Sequence, residues 1–345
     1  MRFGGFVRDS VESMRRLGTE VRVVTVTDSR RGVARAALKY SGLLARTAVA
    51  SARGGYDVVH AHFLFPTGVA GRLAAAVRGA PLIVFAHGSD VAFASTRGLV
   101  GILTRWVLRS AEAVVAPSRH LAAELEGYRD GRGRGVDVVP MGVDIRLFSP
   151  GDRAEARAAA GLVAGEPVVL FAGALDANKG AGCEDLLNAV DVPGLSGVRV
   201  VVVGTGPRRE RLQARAAAGS LVGRVEFRGP VDRREVAVLM RAADAVTVPS
   251  RRESLGLVAL EARAAGTPVV AAAVGGLPEH VVPGLSGELY PSGDVDALRA
   301  ALSRVLSDPS AYRPPPLDER YTLEGSGRDV LRLSDAVLER GRRRA

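Results

Sequence analysis

Pro249 to Glu279 reads PSRRESLGLVALEARAAGTPVVAAAVGGLPE, and the reading of this stretch decides what the rest of the chain is expected to be. Ser254 to Ala265 predicts a helix: apolar residues dominate it, no proline interrupts it, and Gly266 followed by Pro268 supplies a stop. Pro268 to Val274 then reads as an apolar strand, and Gly275-Gly276 as a turn opening a further helix. Glu253 precedes the first helix and Glu261 lies inside it. The N–H groups of Leu255, Gly256 and Leu257 in a first turn have no intrahelical partners and carry the positive end of the helix dipole. With Ser254 beside them, they suit a phosphate or diphosphate. Glu261, among Ala, Leu and Val, needs hydrogen-bond donors if buried, and a sugar diol supplies them. Taken alone, the two glutamates read equally well as solvated charge on an Ala-rich helix.

Outward from this stretch, apolar runs alternate with helical ones. Before it, strands are expected at 57–62, 81–87, 113–118, 136–140, 167–173, 198–203, 225–228 and 245–249, with helices at 33–53, 66–77 and 99–110. After it comes a helix over 295–306 and another from Leu323 to Arg340. Near-continuous apolar strands alternating with helices predict an α/β fold with parallel sheets covered on both faces. Ala113 to Arg119 (AVVAPSR) returns as Ala245 to Arg251 (AVTVPSR), which supports two like domains. The turn-rich Met141 to Asp144 and Phe148 to Pro150 place their boundary near residue 150.

The beginning is unusual. Gly4-Gly5 leads into a helix through Leu17 and then a strand over Glu20 to Thr27, yet only Met1, Arg2 and Phe3 stand ahead of the glycines. A Rossmann-type domain opens with a strand feeding such a loop, so the first strand is expected to be missing, through a start assigned too late or a genuine truncation.

With 345 residues, 47% of them hydrophobic, each of two domains can bury a core. One cysteine, Cys183, excludes an internal disulfide and fits a reducing cytoplasm. Arginines and glycines break every run that could cross a membrane. The net charge of +10 calls for an anionic partner, and no nucleic-acid motif accompanies it. Residues 33–53 (Arg35, Lys39, Arg46, Arg53) and 97–109 (Arg105, Trp106) read as basic amphipathic helices, either solvated or able to lie on the inner face of a membrane.

The whole stretch resembles the donor-binding signature of glycosyltransferase family 4, the retaining group 1 glycosyl transferases of GT-B fold. The likeness rests on Glu253 and Glu261, Gly266-Thr267-Pro268-Val269, and Gly275-Gly276-Leu277-Pro278-Glu279. It extends to Gly142-Val143-Asp144 at the hinge and to His87-Gly88-Ser89-Asp90. The resemblance implies two Rossmann-like domains facing across a cleft, an acceptor side over 1–150 and a nucleotide-sugar side over 151–310. Residues 311–345 would carry a helix crossing back to the first domain. It implies a metal-independent enzyme that moves a sugar from a UDP- or GDP-linked donor to a hydroxyl of a glycan, lipid-linked or small-molecule acceptor. No cofactor is implied, and no Asp-x-Asp marks a metal-bound diphosphate.

By the same resemblance, Lys179 grips the donor diphosphate, Glu253 the donor sugar and Glu261 the ribose, while His87 orients sugar or acceptor. Gly204, Gly206 and Arg228 would form the wall against the base, and Gly4 and Gly5 would line the donor cleft. Ala174 stands where the family carries an arginine, which weakens the grip on two phosphates. For Lys179 a plain surface lysine, for Gly204-Thr205-Gly206 an ordinary turn, and for His87 a structural histidine are the alternatives. His60 and His62 share a strand face and are read as packing residues. Two other functions stay open: a catalytically impaired nucleotide-sugar binder, and a nucleotide-sugar epimerase.

Overall fold

The computed structural model describes residues 5–26, 33–129 and 135–343. They fold as two compact units, one comprising Phe6–Pro140 with the residues from Glu324 onward, the other Met141–Leu323. The expectation for Gly4 lies outside the described residues.

In the N-terminal unit, α1 (Gly5–Arg16) and α2 (Val33–Arg53) precede β1 (Val59–His62), α3 (Thr67–Arg78), β2 (Leu82–Phe85), α4 (Ala92–Ser95), α5 (Leu99–Ser110), β3 (Ala113–Ala116), α6 (Arg119–Glu126) and β4 (Asp137–Val138). The strands form one sheet in the order β1-β2-β3-β4, every neighbouring pair parallel. Strand periodicity sends Leu82 and Val84 to one face, against Leu64, Leu108, Leu121 and Leu125. Ile83 and Phe85 go to the other, against Val11 and Met14 of α1 and Val330 and Val337 of the last helix.

The C-terminal unit runs α7 (Arg153–Ala160), β5 (Val168–Ala172), α8 (Lys179–Val190), β6 (Arg199–Val203), α9 (Arg209–Ala216), β7 (Val225–Gly229), α10 (Arg233–Ala242), β8 (Ala245–Val248), α11 (Leu257–Ala264), β9 (Val269–Ala272), β10 (Gly287–Tyr290) and α12 (Val295–Ser307). Then α13 (Leu323–Arg342) returns to the N-terminal unit. The parallel sheet has the order β10-β9-β8-β5-β6-β7, so the winding reverses between β5 and β8. At such a point the loops leaving the two strands go to opposite faces and open a crevice at the carboxyl ends. Val168 and Leu170 pack on one face and Val169 and Phe171 on the other.

Four local expectations change. Residues 20–26 form no ladder, because a strand exists only where a neighbour exchanges backbone hydrogen bonds with it. Here the Val21 carbonyl accepts from Arg15 and the Thr25 carbonyl from Arg46, and Val23 stays 52% exposed. The helix expected from Ser254 starts only at Leu257, because Gly256 caps it in the left-handed region, φ 87°. Gly275-Gly276 opens a single 3-10 turn, Leu277–Glu279, rather than a longer helix. The strand β10 was not foreseen, since Glu288 interrupts its apolar run; buried, that carboxylate meets Arg304 and the Tyr312 hydroxyl.

Candidate functional site

The crevice at the carboxyl ends of β5 and β8 is assembled from two loops that one side chain joins. Asp176 folds the loop after β5 by accepting from the backbone N–H of Asn178 (2.9 Å) and of Lys179 (2.8 Å). Asn178 then reaches the loop after β8. Its Oδ1 accepts from the N–H groups of Arg251 (2.9 Å) and Arg252 (2.8 Å), and its Nδ2 donates to the Arg252 carbonyl (2.9 Å). With the loops fixed, Lys179 Nζ stands 3.1 Å from Glu253 Oε2, and the Ser250 hydroxyl donates to the same oxygen at 3.2 Å. Lys179 and Glu253, 74 positions apart in sequence, are thus a partly buried ion pair at the mouth of the crevice.

The Gly-Gly turn closes against this loop. Gly275 has φ 57°, and a Cβ on it would stand 1.5 Å from the Glu253 carbonyl oxygen, so any side chain there displaces Glu253. Leu255 is buried, and its carbonyl accepts from His280 Nε2 at 2.6 Å. Of the three N–H groups assigned to the first helical turn, those of Leu255 and of Gly256, the cap, lie ahead of the helix, and Leu257 begins it. Ser254 likewise belongs to the loop.

Glu261 is buried, and a cation faces it: Arg233 Nη2 lies 3.6 Å away, its guanidinium stacked over Phe148. On the other side of β5, backbone hydrogen bonds lace the loops after β5, β6 and β7. Leu175 N–H donates to Thr205 O (3.0 Å) and Gly204 N–H to Gly229 O (2.8 Å), with Gly206 packed against Leu175. Arg228 is held by Glu226 at 2.7 Å and by the Ala160 carbonyl. The guanidinium against Gly229 belongs instead to Arg209, at the start of α9. Arg251 is locked by Asp185 at 2.7 Å.

In the N-terminal unit, β1 ends at His62 and β2 delivers His87. Asp90, buried, stitches the two strand ends: its carboxylate accepts from His87 N–H (2.9 Å) and Leu64 N–H (2.8 Å), and burial raises its pKa. His62 Nδ1 and His87 Nε2 are hydrogen-bonded at 3.2 Å, with the rings stacked at 5.3 Å. Phe6 and Phe63 close on the His87 ring at 4.6 and 4.5 Å. Phe63 holds φ 73°, a left-handed conformation costly for a bulky residue. Gly5 opens α1 one residue before Phe6.

Burial, and secondarily His60, lowers the pKa of His62 to about 3; burial, and secondarily His62, pushes His87 well below its ordinary value. Both are neutral at pH 7, so a single proton lies between them. His87 Nδ1 is shut off from solvent with no hydrogen-bond partner. A neutral imidazole of this kind takes or gives one hydrogen bond to a hydroxyl without adding charge. His60 serves packing: Ser334 donates its only hydroxyl proton to the Val330 carbonyl (2.8 Å), so His60 Nε2 donates to Ser334 Oγ at 3.0 Å.

The structure therefore pairs Lys179 with Glu253 and sets His87 in an aromatic nest. It engages Arg228 with Glu226 and the Ala160 carbonyl. Asn178 escaped the sequence reading, and His62 was read there only as a packing residue. Asn178 carries no periodic or motif signal, whereas His62, at the carboxyl end of a strand, had the placement that marks ligand-facing residues in parallel sheets. Among the described residues no group of three or more His, Cys, Asp or Glu is placed to hold a metal ion.

Comparison with known proteins agrees with this architecture. The model of Glycosyltransferase Family 4 matches residues 5–147, and that of Glycosyl transferases group 1 matches residues 152–321. A D-inositol 3-phosphate glycosyltransferase of Mycolicibacterium gilvum is 37% identical over 284 residues, 78% of this chain. The chain spans 63% of that relative's length. A sucrose-phosphate synthase from Thermosynechococcus elongatus superposes with a TM-score of 0.77 at 26% identity, covering 97% of this chain and 90% of that one. Anabaena HepE, solved with UDP-glucose, superposes at 0.67 and 23% identity over 87% of this chain and 81% of its own. With both halves matched in order, the chain belongs to the family 4, group 1 glycosyltransferases of GT-B fold.

Proposed function

We propose that the protein transfers a sugar from a nucleotide-diphosphate sugar to an acceptor hydroxyl, with retention at the anomeric carbon. The observation that carries this reading is the Lys179–Glu253 pair, held by Asn178 where the winding of the sheet reverses. A sugar diphosphate brings both of the pair's needs: anionic oxygens for the ammonium, and hydroxyl donors for the carboxylate.

Lys179 stabilises charge building on the departing diphosphate, the interaction that strengthens most toward the transition state. Glu253 accepts from hydroxyls of the donor sugar, and Glu261, with Arg233 beside it, from those of the ribose. Ala174 leaves the diphosphate loop one cation short of its relatives' pattern. In the N-terminal unit, neutral His87 offers Nδ1, the ring nitrogen that His62 leaves unused, to a hydroxyl of the sugar or the acceptor once the Phe6 and Phe63 rings part. The acceptor is a polyol or carbohydrate; the relative named for D-inositol 3-phosphate supports this class. UDP and GDP are the donor nucleotides proposed, and the reaction requires no metal.

Incubation with UDP- and GDP-linked sugars tests this, with free nucleoside diphosphate measured with and without polyol or glycan acceptors. Acceptor-dependent release, with an α-linked product from an α-linked donor by proton NMR, is expected. Donor binding without release under any acceptor sinks the catalytic reading, and an inverted product sinks retention alone.

A further inference from the structure

Between Val33 and Ala111 the sequence carries nine Lys and Arg against two Asp, a surplus of seven out of the whole chain's +10. One of the two, Asp90, is buried in the stitch between strand ends. The helices α2, α3, α4 and α5 hold no acidic residue at all.

These helices lie side by side. Arg78 of α3 donates to the Ser51 carbonyl of α2 (3.2 Å), and Arg72 of α3 stacks over the Trp106 ring of α5 (5.9 Å). Arg105 of α5 donates to the Ala94 carbonyl of α4 (2.7 Å).

The same row of helices also presents apolar side chains outward. On α5, Leu99 (70% exposed), Ile102 (57%) and Trp106 (39%) recur at i, i+3 and i+7, and so share a face. On α3, Leu73 and Val77 at i and i+4 are 49% and 66% exposed. The Arg72–Trp106 contact makes the two stripes neighbours. Arg97, Arg105 and Arg109 flank them in sequence. Scattered exposed leucines need no explanation, but two adjoining apolar stripes framed only by cations do.

We propose that this face of the N-terminal unit adsorbs to an anionic lipid bilayer. Its cations meet lipid phosphates while Leu99, Ile102, Trp106, Leu73 and Val77 enter the boundary between headgroups and acyl chains. Charge opposes a symmetric contact with a second copy of the chain, which would bring cations against cations. Aliphatic side chains gain nothing from the phosphate backbone of a nucleic acid, so the stripes favour lipid over a polynucleotide. Trp at the edge suits a surface that is apolar below and wet above. No described helix is long and apolar enough to cross a membrane, so the contact is peripheral. The proposal is independent of glycosyl transfer.

Co-sedimentation of the full chain with two kinds of vesicle tests it: equimolar phosphatidylglycerol and phosphatidylcholine, and phosphatidylcholine alone. The protein is expected to pellet with the first, less so as salt rises, and to stay in solution with the second. The double variant Leu99→Ser, Ile102→Ser should lower the partition coefficient at least about tenfold. Arg97→Gln should lower it about threefold to fivefold. Both variants keep the wild-type melting temperature, because the replaced side chains are exposed. Failure to pellet with anionic vesicles at low salt overturns the proposal. So does vesicle binding that the double variant leaves unchanged. Binding of an RNA homopolymer in place of vesicles, insensitive to the serine substitutions, overturns it too and assigns the basic face to a polynucleotide.

Discussion

Pro117-Ser118-Arg119 and Pro249-Ser250-Arg251 follow equivalent buried strands, one in each unit, and their structures diverge at the serine. Ser118 caps its helix at once, its hydroxyl accepting from Leu121 N–H at 3.2 Å. Ser250 donates instead to Glu253, and its helix waits until Leu257. Those additional residues carry Arg251, Arg252 and Glu253, and Asn178 anchors them from across β5. A delay of six residues is what turns a capping motif into a ligand loop. Deletion of either serine should therefore have opposite consequences, one for stability and the other for chemistry.

The largest effect is expected within the delayed loop. Lys179→Ala should lower kcat/KM roughly 100- to 1,000-fold, the loss typical of removing one stabiliser of developing charge. It should also weaken binding of the free nucleoside diphosphate in calorimetry. Glu253→Gln should cut turnover comparably while leaving diphosphate affinity equal or higher, because Lys179 then loses its competitor. Weaker diphosphate binding in Glu253→Gln breaks the assignment of the two roles. Next comes Asn178→Ala, which removes three hydrogen bonds between the loops. KM for the donor should rise about tenfold, with stability lower by about 1–3 kcal/mol in urea unfolding. In the other turn, Ser118→Ala should cost about 1 kcal/mol of stability and leave turnover untouched. A change in turnover there means the two turns are not the contrast their structures indicate.

Acid sharpens the comparison between the units. Burial lowers His60 to about 4 and His62 to about 3 and pushes His87 well down, all in the N-terminal unit. In the C-terminal unit, burial lowers His280 to about 4. Below about pH 6.5 the unfolded chain binds protons that these folded imidazoles refuse. The stability they confer is therefore complete above that pH and is lost as pH falls toward 4 and then 3. Asp90, raised by burial, offsets part of the loss at the acid end. Trp106, the single tryptophan, sits in the N-terminal unit. Its fluorescence should report unfolding at a higher pH than far-ultraviolet circular dichroism of the whole chain; coincident transitions count against the histidine cluster as the cause.

Much of the fold was legible because strands buried on both faces of a parallel sheet are continuous apolar runs, as in Val198 to Val203 and Pro167 to Gly173. What misled was information that lies outside the local run. Residues 20–26 have strand composition but lack a neighbour, and arginines take their carbonyls. Ser254-Leu255 favours helix, and only the left-handed Gly256 postpones it. Among the candidate residues, Glu253, Glu261, Lys179 and His87 were singled out through family resemblance. The Asn178 bridge was not, because a contact between loops 74 residues apart leaves no periodic trace. Nor does anything in the sequence position of Arg228 reveal that Ala160 and Glu226 hold it.

The last helix, α13, completes a core that the first residues begin, since Val330 and Val337 pack with Val11, Met14, Ile83 and Phe85. During synthesis, Phe6–Pro140 leaves the ribosome long before those two valines exist. Met141–Leu323 meanwhile emerges with all of its own strands. The later-made unit is thus the first able to close, and the earlier-made one must keep part of an apolar sheet face unburied until α13 is made. An arrested nascent chain ending near residue 322 should bind a hydrophobic chaperone through its N-terminal third and release it once the final helix is supplied.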